Sequence, residues 1–335
     1  MNNIIDNTLS PIGGFFELEL PRKPIAIHRR ALKLSTGRSC LLAALEFMQP
    51  VRCYVPHYTC DAVLQPLQML DIECVLYRTD RNLQPLAIPR PAANECVLVT
   101  NYFGLKRELI EQWSDRLGTQ LIVDNTHDFF HEDSATSSWS FTSARKYFGV
   151  PDGAFLHVPL GIDSSDVVPD SATKFTNISL LHGLHRLHGK QDEAFAEFQR
   201  YENSLPCCIR QMSDYSRAML STIPFLQVAQ QRKSNFQQLA AALHNRNAFS
   251  VCATDQEAPF AYPYLSRKGL KHADLHQLQI FAPQLWQNVL NRPQTDCPIA
   301  LEYSCSLIPL PVDHRYGCNE MQRIIDAIRT IEDDR

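Results

Sequence analysis

Two ionisable side chains follow neighbouring apolar runs in the middle of the chain. Residues 121–123 (Leu-Ile-Val) end at Asp124, and residues 139–141 (Trp-Ser-Phe) lead towards Lys146. Short apolar runs between polar residues are typical of buried strands in a parallel sheet. Ligands of such sheets bind beyond the carboxyl ends of the strands. We therefore expect Asp124 and Lys146 to face one crevice.

One chemistry needs a carboxylate and a lysine in this arrangement. Pyridoxal phosphate forms a Schiff base with a lysine, while an acidic side chain keeps its pyridine nitrogen protonated. The protonated ring withdraws electrons from the carbanion that forms on the substrate. The pattern predicts Lys146 as the Schiff-base lysine and Asp124 as the partner of the ring nitrogen, and both as catalytic residues.

Two motifs carry a resemblance to a known family. Asp124-Asn125-Thr126-His127 resembles the Asp-x-x-Gln/His motif of DegT-type (DegT/StrS) sugar aminotransferases, which are fold-type I pyridoxal-phosphate enzymes. Ser143-Ala144-Arg145-Lys146 resembles the Ser-x-x-Lys motif seen more widely in fold type I. The similarity extends over most of the chain. It implies an α/β fold with a mostly parallel sheet flanked by helices, a smaller α+β C-terminal domain and a homodimer.

The same resemblance divides the chain into three parts. Residues 1–30, with a predicted strand over 13–20, would pack near the small domain and the dimer interface. Residues 31–205 would form the large cofactor-binding domain, in which strands and helices of about ten residues alternate as in parallel βαβ units. Residues 206–335 would hold a linking helix and the small domain, and we predict helical structure over 191–245.

A glycine turn opens the first predicted helix. Gly37, Arg38 and Ser39 precede a helical apolar pattern from Cys40 to Met48. The start of a helix presents free backbone N–H groups to a phosphate, and family members bind the cofactor phosphate here. The resemblance therefore assigns Gly37, Arg38 and Ser39 to the phosphate, although an ordinary helix cap is the alternative. Arg38 stands where the family has a small residue and would either add a charge or point elsewhere.

Three further residues are candidates around the cofactor, and two of them have an alternative. Ser143 should contact the phosphate, with Ser140 as the alternative. His127 would hydrogen-bond the phenolic oxygen or face the ring, unless it is a satisfied core histidine. At the position of the family's ring-stacking aromatic residue this chain has Cys60. Tyr58 is predicted to stack on the ring instead, with His57 as the alternative.

Substrate contacts are predicted from the resemblance alone. An active-site asparagine of the family comes from the partner subunit and lies just before an Arg-Met pair. This chain has Asn203 followed by Arg210-Gln211-Met212, which match the pattern loosely. Arg145, next to the lysine, is the third substrate candidate.

Composition narrows the class of protein. A net charge of −4 does not indicate a protein that binds nucleic acid, and no apolar stretch reaches the length of a membrane span. The N-terminus lacks the pattern of a secretion signal. Eleven cysteines without a repeated C-x-x-C indicate a reducing cytoplasm. His182, His185 and His188 are interpreted as a metal-free helix face, so no metal site is predicted.

The sequence therefore predicts a cytoplasmic pyridoxal-phosphate aminotransferase of a polysaccharide pathway. It would move an amino group from an amino-acid donor to a keto-sugar acceptor that is nucleotide-linked. A dehydratase or another sugar-modifying enzyme with this cofactor is less favoured, because known dehydratase relatives replace the lysine with histidine. A non-catalytic regulator or partner protein on the same scaffold is a further alternative. It is suggested by Cys60 and by Pro-Asp-Gly-Ala at 151–154, where the family has Gly-Glu-Gly-Gly.

Overall fold

A seven-stranded sheet forms the centre of the computed structural model, which describes residues 18–21, 23–131, 137–169, 171–251, 258–292 and 297–335. The strands are β1 (Leu32–Leu34), β2 (Arg52–Pro56), β3 (Glu73–Tyr77), β4 (Glu95–Thr100), β5 (Leu121–Asp124), β6 (Trp139–Ser143) and β7 (Ala154–His157). Their order across the sheet is β1-β7-β6-β5-β4-β2-β3. Only β7 runs against its neighbours, so β2 to β6 end at the same edge.

Helices cover both faces of this sheet. All residues of β4, β5 and β6 are buried, as expected for strands of a parallel sheet covered on both sides. Leu98, Ile122 and Phe141 pack under the first helix, α1 (Gly37–Met48), whereas Val97 and Val123 belong to the apolar cluster on the other face. Because side chains alternate between the faces of a strand, Asp124 follows Ile122 onto the α1 side.

Nine further helices follow along the described chain. They are α2 (Asp61–Met69), α3 (Arg107–Leu117), α4 (Leu181–Leu187), α5 (Gln191–Ser204), α6 (Asp214–Leu220), α7 (Phe225–Leu243), α8 (His272–Gln277), α9 (Pro298–Ser306) and α10 (Cys318–Asp333). None of the helices in these ranges is long and apolar enough to cross a membrane.

The helical structure predicted over 191–245 is found for most of this range, but it is interrupted twice and forms three helices, α5, α6 and α7. Pro206 follows the end of α5 directly, and a proline disfavours a helical residue before it and cannot donate a helical hydrogen bond. The chain between α5 and α6 runs beside β1 instead. There the Ser35 N–H donates to the Arg210 carbonyl over 2.8 Å, and the Met212 N–H donates to the Lys33 carbonyl over 3.0 Å.

A second, two-stranded sheet builds the C-terminal part of the chain. Strands β8 (Ala261–Leu265) and β9 (Leu307–Pro311) pair antiparallel, and α7 and α10 pack together beside them. Their apolar cluster also includes Tyr58 and Phe103, which follow β2 and β4. The small domain is therefore joined to the edge of the large sheet where the parallel strands end.

The predicted N-terminal strand over 13–20 lies mostly outside the described residues. Within the described part, Leu18 to Leu20 are not in a strand. Ile25 and Ile27 join an apolar cluster with Phe129 and Phe148, at the large sheet. The predicted packing near the small domain and the domain boundaries at 30 and 205 stay predictions.

Candidate functional site

Asp124 and Lys146 lie at the ends of adjacent parallel strands. Asp124 is the last residue of β5, and it is paired in register with Phe141 of β6. Lys146 ends the short helical turn Ala144–Lys146 that follows β6. Asp124 is only 5% exposed, whereas Lys146 is exposed. Because β5 and β6 pair in parallel, the fold brings the two predicted catalytic residues to the same edge of the sheet.

Asp124 is a buried carboxylate without a counter-ion. The Thr126 N–H donates to its Oδ1 over 3.0 Å. Among the described residues no basic side chain, Lys146 included, lies within ion-pair distance of it. Burial raises its pKa, and the Thr126 donors and the Lys146 charge offset only part of this rise. Buried carboxylates are normally paired, so this site is suited to a ligand that brings a cationic N–H group.

His127 is a buried neutral base with one nitrogen fixed. Its Nδ1 accepts the Phe103 N–H over 3.3 Å, which places the ring proton on Nε2. Its ring is parallel to Phe260, with centroids 4.3 Å apart, and to Trp286, with centroids 5.7 Å apart. Burial and then the Lys146 charge lower its pKa to about 3. His127 is therefore a neutral hydrogen-bond donor at neutral pH.

The start of α1 offers two free amides above the loop that follows β5. An added Cβ on Gly37 would lie 3.5 Å from the Phe141 ring and 3.8 Å from Thr126 Cγ2, so the helix start is close to Asp124. Within the described chain, the N–H groups of Gly37 and Arg38 have no acceptor. These donors and the positive end of the helix dipole favour an anion here.

The other groups predicted at the helix start are engaged within the chain. The Ser39 N–H donates to Thr36 Oγ1 over 3.1 Å, and its hydroxyl donates to the Cys208 carbonyl over 2.7 Å. The Arg38 guanidinium donates to Gln65 over 2.9 Å and to the Leu205 carbonyl over 3.1 Å. The Arg38 side chain is thus directed away from the helix start, in agreement with the expectation that it points elsewhere rather than adding a charge there.

Strand geometry distinguishes the two candidate serines. Ser143 lies on the same face of β6 as Phe141, which packs under α1, and its hydroxyl has no partner among the described residues. Ser140 lies on the opposite face, beside Val123 in the register. Ser143 therefore fits the predicted anion site better than Ser140.

In the segment after β2, the Cys60 thiol lies within the electrostatic influence of Asp124 and Lys146, whereas its aromatic neighbours pack elsewhere. Tyr58 is 1% exposed and packs in the small-domain cluster, with its ring centroid 4.6 Å from that of Trp286. His57 lines a separate cavity of about 200 Å³. Burial raises the pKa of the Cys60 thiol, Lys146 lowers it and Asp124 raises it. The site thus contains a thiol at this position, and no open face of Tyr58 is available for stacking.

The three predicted substrate residues are not gathered at Asp124 within one chain. Arg145 forms an ion pair with Glu202 of α5, and its guanidinium lies 5.6 Å from the centre of the Tyr201 ring. Asn203 is exposed on α5. Arg210 is exposed and hydrogen-bonds Thr173.

Sequence reasoning missed three side chains that shape this site. Phe260 and Trp286 come from the small domain and hold His127, and no local pattern links them to residue 127. Asp152 belongs to the Pro-Asp-Gly-Ala turn after Lys146 and is fully buried. It accepts the N–H of Ser213 over 2.8 Å and its hydroxyl over 2.5 Å. Asp152 thus holds Ser213, the residue whose hydroxyl caps the start of α6.

Comparison with known proteins identifies the fold. No protein-family model and no curated protein matches the sequence. Among solved structures, the putative sugar aminotransferase Spr1654 from Streptococcus pneumoniae has a TM-score of 0.64 and 12% identity, covering 91% of this chain and 86% of its own. Sugar aminotransferase CalS13 from Micromonospora echinospora has a TM-score of 0.64 and 11% identity, with coverage of 90% and 87%.

A third structure, a DegT DnrJ EryC1 StrS aminotransferase from Brucella abortus, has a TM-score of 0.60 and 14% identity, with coverage of 93% and 92%. The chain thus has the fold of these aminotransferases over nearly its whole length. The predicted fold class, a mostly parallel sheet flanked by helices with a small second sheet, is confirmed.

The buried imidazole predicts an acid-sensitive fold. The pKa of His127 is about 3 in the folded chain, whereas the ordinary value, expected in the unfolded chain, is 6.5. Below about pH 6.5 the unfolded chain therefore binds a proton that the folded chain does not, and this favours unfolding. His127→Phe keeps an aromatic ring in the stack and removes this dependence. Between pH 7.5 and pH 4.5 the wild type should lose on the order of 2 kcal/mol more unfolding free energy than the variant, measured with urea. Exposed His188→Phe is the control, and equal losses in wild type and His127→Phe would contradict the assignment.

Proposed function

We propose that this chain is a pyridoxal-phosphate-dependent aminotransferase that moves an amino group from an amino acid to a keto sugar. The observation that carries the proposal is the buried, unpaired carboxylate of Asp124 beside Lys146 at the carboxyl edge of the sheet. The fold supports it, because solved structures named as sugar aminotransferases share it.

The residues around Asp124 fit this cofactor. Asp124 would accept a hydrogen bond from the protonated pyridine nitrogen. The positive charge of that ring would supply the counter-ion that Asp124 lacks. The free amides of Gly37 and Arg38 and the hydroxyl of Ser143 would hold the phosphate. His127 would donate its Nε2 proton to the phenolic oxygen, since its Nδ1 already accepts the Phe103 N–H.

Each residue then has a defined task in the reaction. The bound cofactor supplies a cationic ring that withdraws electrons from the donor's α-carbon. Asp124 keeps the proton on the ring nitrogen through its charge, and its burial makes this interaction stronger than it would be in water. With the donor bound, the Lys146 amine would act as the base that takes the proton from the donor's α-carbon, and the resulting ammonium would act as the acid that gives it back as the amino group is transferred. The same steps in reverse would place the amino group on a nucleotide-linked keto sugar.

We infer further that the active unit is a homodimer with the site at its boundary. Lys146 is exposed in a single chain. The nearby helices α4 and α5 carry exposed apolar side chains, namely Leu181, Leu184, Leu187, Phe195 and Phe198. Their hairpin is attached beside the site by the ion pair of Arg145 with Glu202. A second copy related by a two-fold axis would cover this apolar surface and restrict water access to Lys146.

The first test is covalent attachment. Protein incubated with pyridoxal phosphate should become yellow, and borohydride should fix the cofactor on Lys146, as shown by peptide mapping. Lys146→Ala should give no reduced adduct, whereas Lys174→Ala, at an exposed lysine paired with Asp214, should behave as wild type. An adduct on another lysine would overturn the proposal.

The second test concerns the ring nitrogen. Asp124→Asn keeps the size of the side chain but lacks the charge that holds the nitrogen protonated. Cofactor should still bind, while the single-turnover rate with an amino-acid donor, followed by visible absorbance, should fall by orders of magnitude. Asp163→Asn, in a surface turn, is the control. A rate near that of wild type would exclude this role of Asp124.

The third test concerns assembly. Two carboxylates placed on the apolar surface of α4 by Leu184→Glu and Leu187→Glu would be buried without partners in a dimer. The wild type should sediment as a dimer and the double variant as a monomer with little transaminase activity. Leu226→Glu changes a leucine that is 82% exposed on α7 and should leave the dimer intact. A fully active wild-type monomer would contradict this inference.

A further inference from the structure

Arg232 is a buried cation between the small domain and the turn that carries Lys146. It lies on α7 and is 1% exposed. Within the described ranges it forms no ion pair. The charge of Asp313 acts on it, but the Asp313 carboxylate is paired with Arg315, with Nε and Oδ1 2.6 Å apart. Burying a cation without its own counter-ion is costly, so the other contacts of Arg232 must offset that cost.

One part of the guanidinium group holds the backbone of Phe260. Nε and Nη2 donate to the Pro259 carbonyl over 3.3 and 3.1 Å, and Nη2 also donates to the Phe260 carbonyl over 2.6 Å. On its other side, the Phe260 N–H donates to the Phe103 carbonyl over 2.9 Å. The Phe260 ring is parallel to the His127 ring, with centroids 4.3 Å apart. Arg232 therefore anchors the residue that stacks on His127.

The same guanidinium group lies over the ring of Tyr147, the residue that follows Lys146. Its central carbon, Cζ, is 4.5 Å from the centre of that ring. Nη1 has no hydrogen-bond acceptor in the described part of the chain, so the aromatic face is the main compensation for this end of the cation. Tyr147 is 5% exposed, and its ring meets that of Phe260 edge-on with centroids 5.9 Å apart. One side chain thus contacts both the turn of Lys146 and the wall of His127.

We propose that Arg232 is a positioning residue for Lys146 and His127, an assignment that rests on the proposed function. It acts on Lys146 through Tyr147 and on His127 through Phe260. A guanidinium group suits this task because its planar fork donates to neighbouring carbonyls while its delocalised charge stacks on an aromatic face. A lysine at this position would keep the charge over Tyr147 but would lack the planar fork.

The first measurement follows His127 in the chain without cofactor, by NMR titration of labelled histidines. The His127 signal is identified by its absence in His127→Phe. In the wild type its pKa is about 3, so the ring stays neutral from pH 7.5 down to pH 5. Arg232→Met removes the donors that anchor Phe260. Water should then reach the imidazole, and its pKa should rise to about 5 or above. Arg232→Lys should have the same effect, and it serves alone if Arg232→Met does not fold.

A matched control separates positioning from general destabilisation. Arg246→Met removes an ion pair of the small domain with Asp333, in which Nη1 and Oδ1 are 2.8 Å apart. It should lower the stability of the fold and leave the titration of His127 as in the wild type.

The second measurement follows the turn of Lys146 in protein loaded with pyridoxal phosphate. Visible circular dichroism, divided by the amount of cofactor fixed with borohydride, reports how uniformly the lysine holds the cofactor. This ratio should fall about twofold or more in Arg232→Met, because Tyr147 loses the cation that packs on its ring. Arg232→Lys should keep the wild-type ratio, since it retains that cation.

The proposal is overturned if the Arg232 variants lose stability as Arg246→Met does while the His127 titration and the dichroism ratio both stay unchanged. Arg232 would then be a structural cation only. If only one of the two readings changes, the role of Arg232 towards the other residue is excluded. Failure of the wild type to form an adduct on Lys146 would instead contradict the proposed function, and the His127 titration, which needs no cofactor, would still decide whether Arg232 positions that ring.

Discussion

The unpaired charge of Asp124 is the interaction on which the site depends. A carboxylate that is 5% exposed has lost most of its hydration, which costs several kcal/mol unless a cation replaces the water. The Thr126 donors and the Lys146 charge replace only part of the hydration that Asp124 has lost. The fold thus keeps a destabilising group at the end of its central strand. Such a group is retained at functional sites, where a ligand supplies what the protein lacks.

Register is what keeps this carboxylate in place. β5 lies between β4 and β6, with Thr100 and Phe141 opposite Asp124. A slip of one residue would turn Asp124 to the α3 face, because side chains alternate along a strand. The apolar clusters on both faces of the sheet oppose such a slip, since it would exchange Ile122 and Val123 between two differently packed faces. Packing of ordinary aliphatic residues therefore fixes the position of the Asp124 side chain.

The elements of the large sheet were predictable because their signals are local. An apolar run with polar ends identified β5, and helical spacing identified α1 within a few residues. Helical periodicity continues on both sides of the break after α5, and Pro206 is the local signal that marks it. Which of Cys60, Tyr58 and His57 faces Asp124 depends on how the segment after β2 packs under the small domain, and Trp286 lies far along the chain. Contacts of this kind have no local pattern, so the sequence predicted the identity of the two central residues but not the aromatic walls around them.

The His127 stack joins the small domain to the candidate site. Its ring is held between large-domain and small-domain aromatics, and its Nδ1 accepts the Phe103 N–H. Trp286 adopts a left-handed backbone with φ of 56°, which a bulky residue reaches only at some cost. That conformation is supported by Asn288 and Arg292, which bond the carbonyl of Thr59 over 3.2 and 2.8 Å. The segment that carries Cys60 is thus clamped by the segment that carries Trp286. Because His127 also stacks on Phe260 and Trp286, the small domain contacts the candidate site through both the Cys60 segment and the His127 ring.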